Sequence, residues 1–225
     1  MEKTVSAVLV AAGSSTRMGF DKLSFDLGGE TVLHRSIRAF AQCPQVTELV
    51  LVAGKNRDFV AQQAADCPKP VQIVAGGATR AESAKNGVLA AHGELVAVHD
   101  AARPFVSAAV ITAALEAAAR CGAAAPAVPV KDTIKTVTEE GAVTGTSDRS
   151  TLRAVQTPQV FEADLLKAAL QSALENEVSV TDDCSAVERL GKVVYLIDGD
   201  EENLKITTPM DLVIAEAILA EREGR

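Results

Sequence analysis

Short runs of Val, Ile, Leu and Ala recur along the chain, at residues 7–11, 49–53, 71–75, 95–99, 125–130 and 193–197. Most are apolar without alternation, the pattern of strands covered on both faces. Helix-like segments separate them. Residues 31–41 carry Val32, Leu33, Ile37 and Phe40 on one stripe, and 59–65, 80–91 and the alanine-rich 108–120 follow. This alternation predicts an α/β fold, a Rossmann-like, mostly parallel sheet with helices on both faces. In such sheets ligands sit outside the carboxyl ends of the strands. The segments 13–17, 76–80 and 100–103 should therefore share one rim.

The alternation breaks at residues 131–157, where TIKTVTEEGAVTGTSDRSTLRAVQT is rich in Thr and Val and Glu139-Glu140-Gly141 signals a turn. This predicts a β-hairpin arm inserted into one α/β domain spanning residues 1–225. A lone two-stranded ribbon is marginal in water, so the arm should pack on something, and a second subunit is the natural candidate. A helix at 163–174, a short capped helix in TDDCSAVERLG, the strand at 193–197 and a helix from Pro209 complete the expected order.

Composition narrows the partners. The net charge of −8 argues against non-specific binding to nucleic acid or anionic membranes, and 3% aromatics with no Trp leave little for base stacking. A small anion in a locally cationic cleft remains compatible with that charge. Cys43, Cys67, Cys121 and Cys184 lie far apart with no metal-site spacing, and they read as free thiols of a cytoplasmic protein.

The chemistry-bearing stretches are few. In LVAAGSSTRMGFDK, Gly13 permits a turn after the strand, and small residues let backbone N–H groups converge on an anion. Arg17 can bridge phosphate oxygens and Lys22 adds a compact charge. The stretch is neither a dinucleotide fingerprint nor a P-loop. In VAGGATRAES, Gly76 and Gly77 close a strand and Arg80 opens a helix, with Ser83 one turn on. In VAVHDAARPF an apolar strand delivers Asp100 at its tip and Arg103 follows; such a carboxylate either holds Mg²⁺ or caps the turn and pairs with Arg103. His99 reads as a rim or packing residue.

The series AAGSSTRMG, GGATRAES, VHDAARPF, VKDTIK, VQTPQVF, VTDDCSAVE and NLKITTPMDL resembles the 2-C-methyl-D-erythritol 4-phosphate cytidylyltransferase family, in order from about residue 5 to 215. The resemblance implies transfer of CMP from CTP to that polyol phosphate in non-mevalonate isoprenoid synthesis, with release of pyrophosphate. It implies CTP contacts from Ala11, Ala12, Gly13, Ser14, Ser15, Gly76, Gly77, Arg80, Ser83, Ala101 and Arg103. Arg17, Lys22 and Lys205 would be catalytic, and Asp100 would hold Mg²⁺. Thr157 and Thr181 would join Lys205 around the acceptor, and Thr133 and Arg149 would reach it from the neighbouring subunit of a homodimer. Family members commonly carry a second glycine where this chain has Ser15, and the Arg17–Lys22 spacing is short.

Two other functions use the same features. A ribitol-5-phosphate or other polyol-phosphate cytidylyltransferase differs only in its acceptor, and a nucleotide-binding protein without catalysis would keep the loop alone. A dinucleotide oxidoreductase lacks its fingerprint here.

Overall fold

The structure, a computed structural model, describes residues 3–13 and 21–224. Strands β1 (Val5–Ala11), β2 (Val46–Ala53), β3 (Val71–Ala75) and β4 (Leu95–Asp100) alternate with helices α1 (Val32–Ala41), α2 (Arg57–Gln63) and α3 (Arg80–Ala90). Helix α4 (Ala108–Cys121) leads to β5 (Ala123–Pro129), then β6 (Lys135–Val137), β7 (Val143–Thr146), β8 (Arg153–Val155) and β9 (Gln159–Glu162). Helices α5 (Ala163–Glu175) and α6 (Asp183–Arg189), strand β10 (Tyr195–Asp198) and helix α7 (Pro209–Glu223) complete the chain.

The main sheet runs β10-β5-β9-β4-β1-β2-β3, with β8 paired to β5. β1 lies parallel to β2 and β4, β2 to β3, and β10 to β5. The strands that depart are β9, antiparallel to both β4 and β5, and β8, antiparallel to β5. The sheet is thus mostly parallel, as expected, with the antiparallel pairings confined to β8 and β9. Within the segment 131–157 expected as an arm, the ribbon is β6 paired to β7, and β8 folds back onto the main sheet.

Each central strand feeds two cores, which is why its sequence shows no alternation. Ala7, Leu9 and Ala11 of β1 face Leu33, Ile37 and Phe40 of α1, Ile111 and Leu115 of α4, and Leu212 and Leu219 of α7. Val8, between them, joins Val50, Val52, Val96 and Val98 against Val88 of α3, Leu166 and Leu170 of α5 and Val187 of α6. Helix α3 lies close on the sheet because Gly87 has no side chain; a Cβ there would come within 2.4 Å of a Val8 methyl.

The helices begin where their side chains cap them. Thr31, Thr79, Ser107, Asp182 and Thr208 each accept from a backbone N–H of the first turn, at α1, α3, α4, α6 and α7 respectively. Register sets the functional edge. Ala11 pairs with Ala53, Ala53 with Ala75, and Val10 with Asp100, so the loops after β1, β2, β3 and β4 leave the sheet at one level.

Candidate active site

The end of β1 and the glycine turn after β3 meet on this rim. A Cβ on Gly76 would lie 2.4 Å from the Ala12 side chain and 3.2 Å from Ser83 Oγ, so only glycine lets the β3–α3 loop sit against the end of β1. The Ser83 hydroxyl accepts from Gly77 N–H at 3.0 Å and donates to Thr79 O at 2.9 Å. Ser83 is buried and shapes the turn from beneath. Asn56 joins the other side, donating to Ala11 O and Asp21 Oδ2 while its own Oδ1 accepts from Gly54 N–H. It fastens the segment that starts the short 3₁₀ turn Lys22–Ser24, so half-buried Lys22 is anchored to the end of β1.

The charged centre is Asp100, at the tip of β4. Its Oδ2 lies 2.7 Å from Lys205 Nζ and its Oδ1 3.3 Å from Arg80 Nε. Burial works against the charge, but Arg80 and Lys205 outweigh it and hold the Asp100 carboxyl well below the ordinary carboxylate range. Of the two readings of Asp100, pairing with Arg103 through side chains gives way to pairing with Arg80 and Lys205; Arg103 contributes its backbone N–H to Asp100 O, at 3.0 Å. The Arg103 guanidinium donates to Asn203 O at 2.6 Å, and burial pushes its pKa down.

Behind this centre the polar groups are committed. His99 is fully buried and tilted against Phe40, with ring centroids 4.8 Å apart. Its Nε2–H donates to Arg103 O at 3.1 Å, and its Nδ1 accepts from the Thr157 hydroxyl at 3.0 Å. Thr157 Oγ1 in turn accepts from Asp100 N–H at 3.1 Å. Burial pushes the His99 pKa down to about 4, so the imidazole is neutral at pH 7. Thr157, expected near the acceptor, is buried with its hydroxyl spent on His99 and Asp100. It sets the tip of β4 from inside.

The loop carrying Lys205 is braced from the same side. Gln156 Nε2 donates to Asp200 O, and its Oε1 accepts from Asp200 N–H and Asn203 Nδ2. Asn203 Nδ2 also donates to Thr157 O at 2.9 Å, and Ile206 N–H to Ala102 O at 2.9 Å. Ala101 is buried, its carbonyl accepting from Ser36 Oγ at 2.9 Å.

The remaining candidates stand outside this network. Exposed Arg149 donates to Lys131 O at 2.6 Å and lines a cleft of about 670 Å³ with Lys131 and Arg153 at the base of the ribbon. Thr133 is exposed beside it, and Thr181 is exposed before α6 with its N–H donating to Ser185 Oγ. Ser14, Ser15 and Arg17 lie outside the described residues. Asn56, Gln156 and Asn203 were missed as site residues by the motif reading, and Asp183 stood only as a weak candidate beside Thr181. All act through contacts distant in sequence; Asn56 lies outside the quoted motifs, and Gln156 lies within VQTPQVF, where its contacts to Asp200 and Asn203 leave no local signal.

Comparison with known proteins decides the family. The sequence model of 2-C-methyl-D-erythritol 4-phosphate cytidylyltransferase matches residues 5–221. The chain belongs to this family. Its relatives include a 2-C-methyl-D-erythritol 4-phosphate cytidylyltransferase of Symbiobacterium thermophilum, 46% identical, with 98% of this chain and 95% of that protein covered. Another, from Caldanaerobacter subterraneus, is 44% identical over 96% of this chain and 98% of its own length. Among solved structures, 4-diphosphocytidyl-2C-methyl-D-erythritol synthase of Anaerococcus prevotii superposes with a TM-score of 0.89 at 30% identity, covering 98% of this chain and all of that one (100%). In this cytidylyltransferase family member, the rim holding Asp100, Arg80 and Lys205 is therefore the candidate active site.

Proposed function

We propose that the chain transfers CMP from CTP to 2-C-methyl-D-erythritol 4-phosphate. An oxygen of the acceptor phosphate forms the new P–O bond at the α-phosphorus, the bond to the β-phosphate breaks, and pyrophosphate leaves. The observation that carries this reading is the Asp100–Lys205–Arg80 cluster on the rim beside the Gly76–Gly77 turn, in a chain of this family. A phosphate monoester is already anionic at neutral pH, so the attacking group needs no proton removed. His99 fits that expectation, with both ring nitrogens occupied by structural hydrogen bonds. What remains is to bring two anions together and offset the charge that builds at the α-phosphorus, a task of positioning and electrostatics.

The turns at Ala11–Gly13 and Gly76–Gly77 present backbone toward the nucleotide, with Arg80, Ala101 and Arg103 at its edge and Ser83 fixing Gly77 beneath it. Ser14, Ser15, Arg17 and Lys22 are assigned to the triphosphate by their place in the sequence. Lys205 and exposed Thr181 are assigned to the acceptor. Magnesium suits Asp100. The residue is an ionised carboxylate at a strand tip, and Mg²⁺ commonly takes one or two protein carboxylates with its other ligands from phosphates and water. Among the described residues no cluster of three or more His, Cys, Asp or Glu side chains is placed to enclose a metal, so the phosphates would complete the shell. When bound, the ion would offset charge on the nucleotide phosphates. Lys205, 38% exposed at its side chain, is the partner able to swing away from Asp100 toward a second anion.

The ribbon of β6 and β7 leaves Val137 and Val143 57% and 61% exposed, which supports a homodimer in which a second copy covers it. Thr133 and Arg149, at its base, would then serve the partner's acceptor phosphate. No helix among the described residues is long and apolar enough to cross a membrane, and the four cysteines are free, which supports a cytoplasmic setting. Asp100→Asn and Lys205→Ala test the site: each should lower turnover by about 10²–10³ in pyrophosphate release. Near wild-type turnover in both would contradict it.

A further inference from the structure

Arg80 does two things at once. Its Nη1 and Nη2 donate to Asp183 Oδ1 and Oδ2 at 3.1 and 2.8 Å, a two-pronged pair, while its Nε reaches Asp100 Oδ1 at 3.3 Å. Asp183 is fully buried, at 0% exposure, at the start of α6. A buried carboxylate is costly unless its partner is well aligned, and a guanidinium held at both prongs cannot rotate about its own plane.

Asp183 is itself aimed from elsewhere. Gln159, the first residue of β9, is buried beside it. Its Oε1 accepts from the N–H groups of Asp183 and Cys184, both at 3.0 Å, and its Nε2 donates to Asp182 Oδ2 at 2.8 Å. Asp182 caps the same helix with Ser185. The antiparallel strand and the short helix are thus fastened together at the point where Asp183 meets Arg80. Burial pushes the Asp183 carboxyl up, and the facing guanidinium sustains its charge.

We infer that Asp183 is a positioning residue for nucleotidyl transfer: it locks Arg80 so that the guanidinium holds Asp100 at one oxygen and leaves the other to Lys205. Asp183 touches neither substrate; it acts through Arg80. The inference rests on the proposed function for the reaction it serves, but not for the geometry. Without the lock, Arg80 keeps its charge and loses its direction. Asp100 then turns, and the nucleotide and its metal meet a misaligned carboxylate.

The test is a cycle of Asp183→Asn, Arg80→Met and the double variant, with Arg80→Lys alongside. The readouts are kcat and KM for CTP with magnesium and 2-C-methyl-D-erythritol 4-phosphate, magnesium-CTP affinity by calorimetry, and Tm. Asp183→Asn should lower kcat/KM by about 10–100-fold, the usual range for partners that orient a binding side chain. It should also weaken CTP binding. Arg80→Lys, which keeps the charge and removes the two-pronged geometry, should fall in the same range.

The double variant, relieved of a buried unpaired charge, should regain Tm over Arg80→Met while remaining no more active than it. Additive losses in the double variant would overturn the inference, as would wild-type kinetics and CTP affinity in Asp183→Asn. If Asp183→Asn does not fold, wild-type kinetics and CTP affinity in Arg80→Lys would overturn it equally. A wild-type protein that binds CTP but transfers nothing would count against the proposed function instead, and CTP affinity across the variants would still decide the role of Asp183.

Discussion

At the scale of single residues, the site is governed by where charge is tolerated. Asp100 remains ionised because Arg80 and Lys205 flank it, whereas His99, one residue earlier, is neutral because it points into the core. That contrast has a measurable consequence for stability. Free histidine takes up a proton near pH 6.5, but His99 in the fold does so only near pH 4. As pH falls through that window the unfolded chain binds a proton that the folded chain excludes, so stability falls, by roughly 3 kcal/mol over the whole interval. Chemical denaturation of wild type and His99→Gln between pH 7 and 4.5 reads this directly. The substitution should flatten the decline; equal slopes would show that His99 does not carry it. The sequence showed His99 as a rim or packing residue but not its neighbours. Thr157 lies 58 positions away, and its hydroxyl was expected on a ligand because threonine suits one. Residue type could not reveal that the hydroxyl is buried.

Elements were legible in proportion to how much of their pattern is local. β1, β2 and β4 stand out because covering both faces demands unbroken apolar runs, and α1 and α4 because their stripes and caps lie within one window. β9 escaped notice. Four residues, QVFE, run straight into α5, too short for periodicity, and the antiparallel direction is set by partners on either side. Yet β9 carries Gln159, which fastens α6 and so aims Asp183. The ribbon was visible from its Thr and Val content and its Glu-Glu-Gly turn, but its end was not, because β8 reads like more of the same ribbon. If the ribbon joins two copies, replacing residues 135–146 by a short Gly-Ser turn should yield a monomer in sedimentation at micromolar concentration. The full chain should sediment as a dimer. A full chain that sediments as a monomer would contradict the shared interface.

Over the whole molecule, the arrangement answers how a chain of net charge −8 accommodates two phosphorylated substrates. Arg80, Arg103 and Lys205 are drawn from α3, the β4–α4 loop and the loop before α7, and the sheet register brings them to one edge. The rest of the surface can then stay acidic while the field is focused there. The same design leaves the acceptor as the discriminating substrate, since any short polyol phosphate presents the same attacking oxygen. The measurement that bears most directly on the account follows the phosphorus spectrum of purified protein with CTP and magnesium, given 2-C-methyl-D-erythritol 4-phosphate or ribitol 5-phosphate in turn. The account predicts a new diphosphate diester and free pyrophosphate in equal amounts with the methylerythritol acceptor, and much slower conversion with ribitol 5-phosphate. Faster conversion of ribitol 5-phosphate, or CTP binding with no transfer to either acceptor, would contradict it.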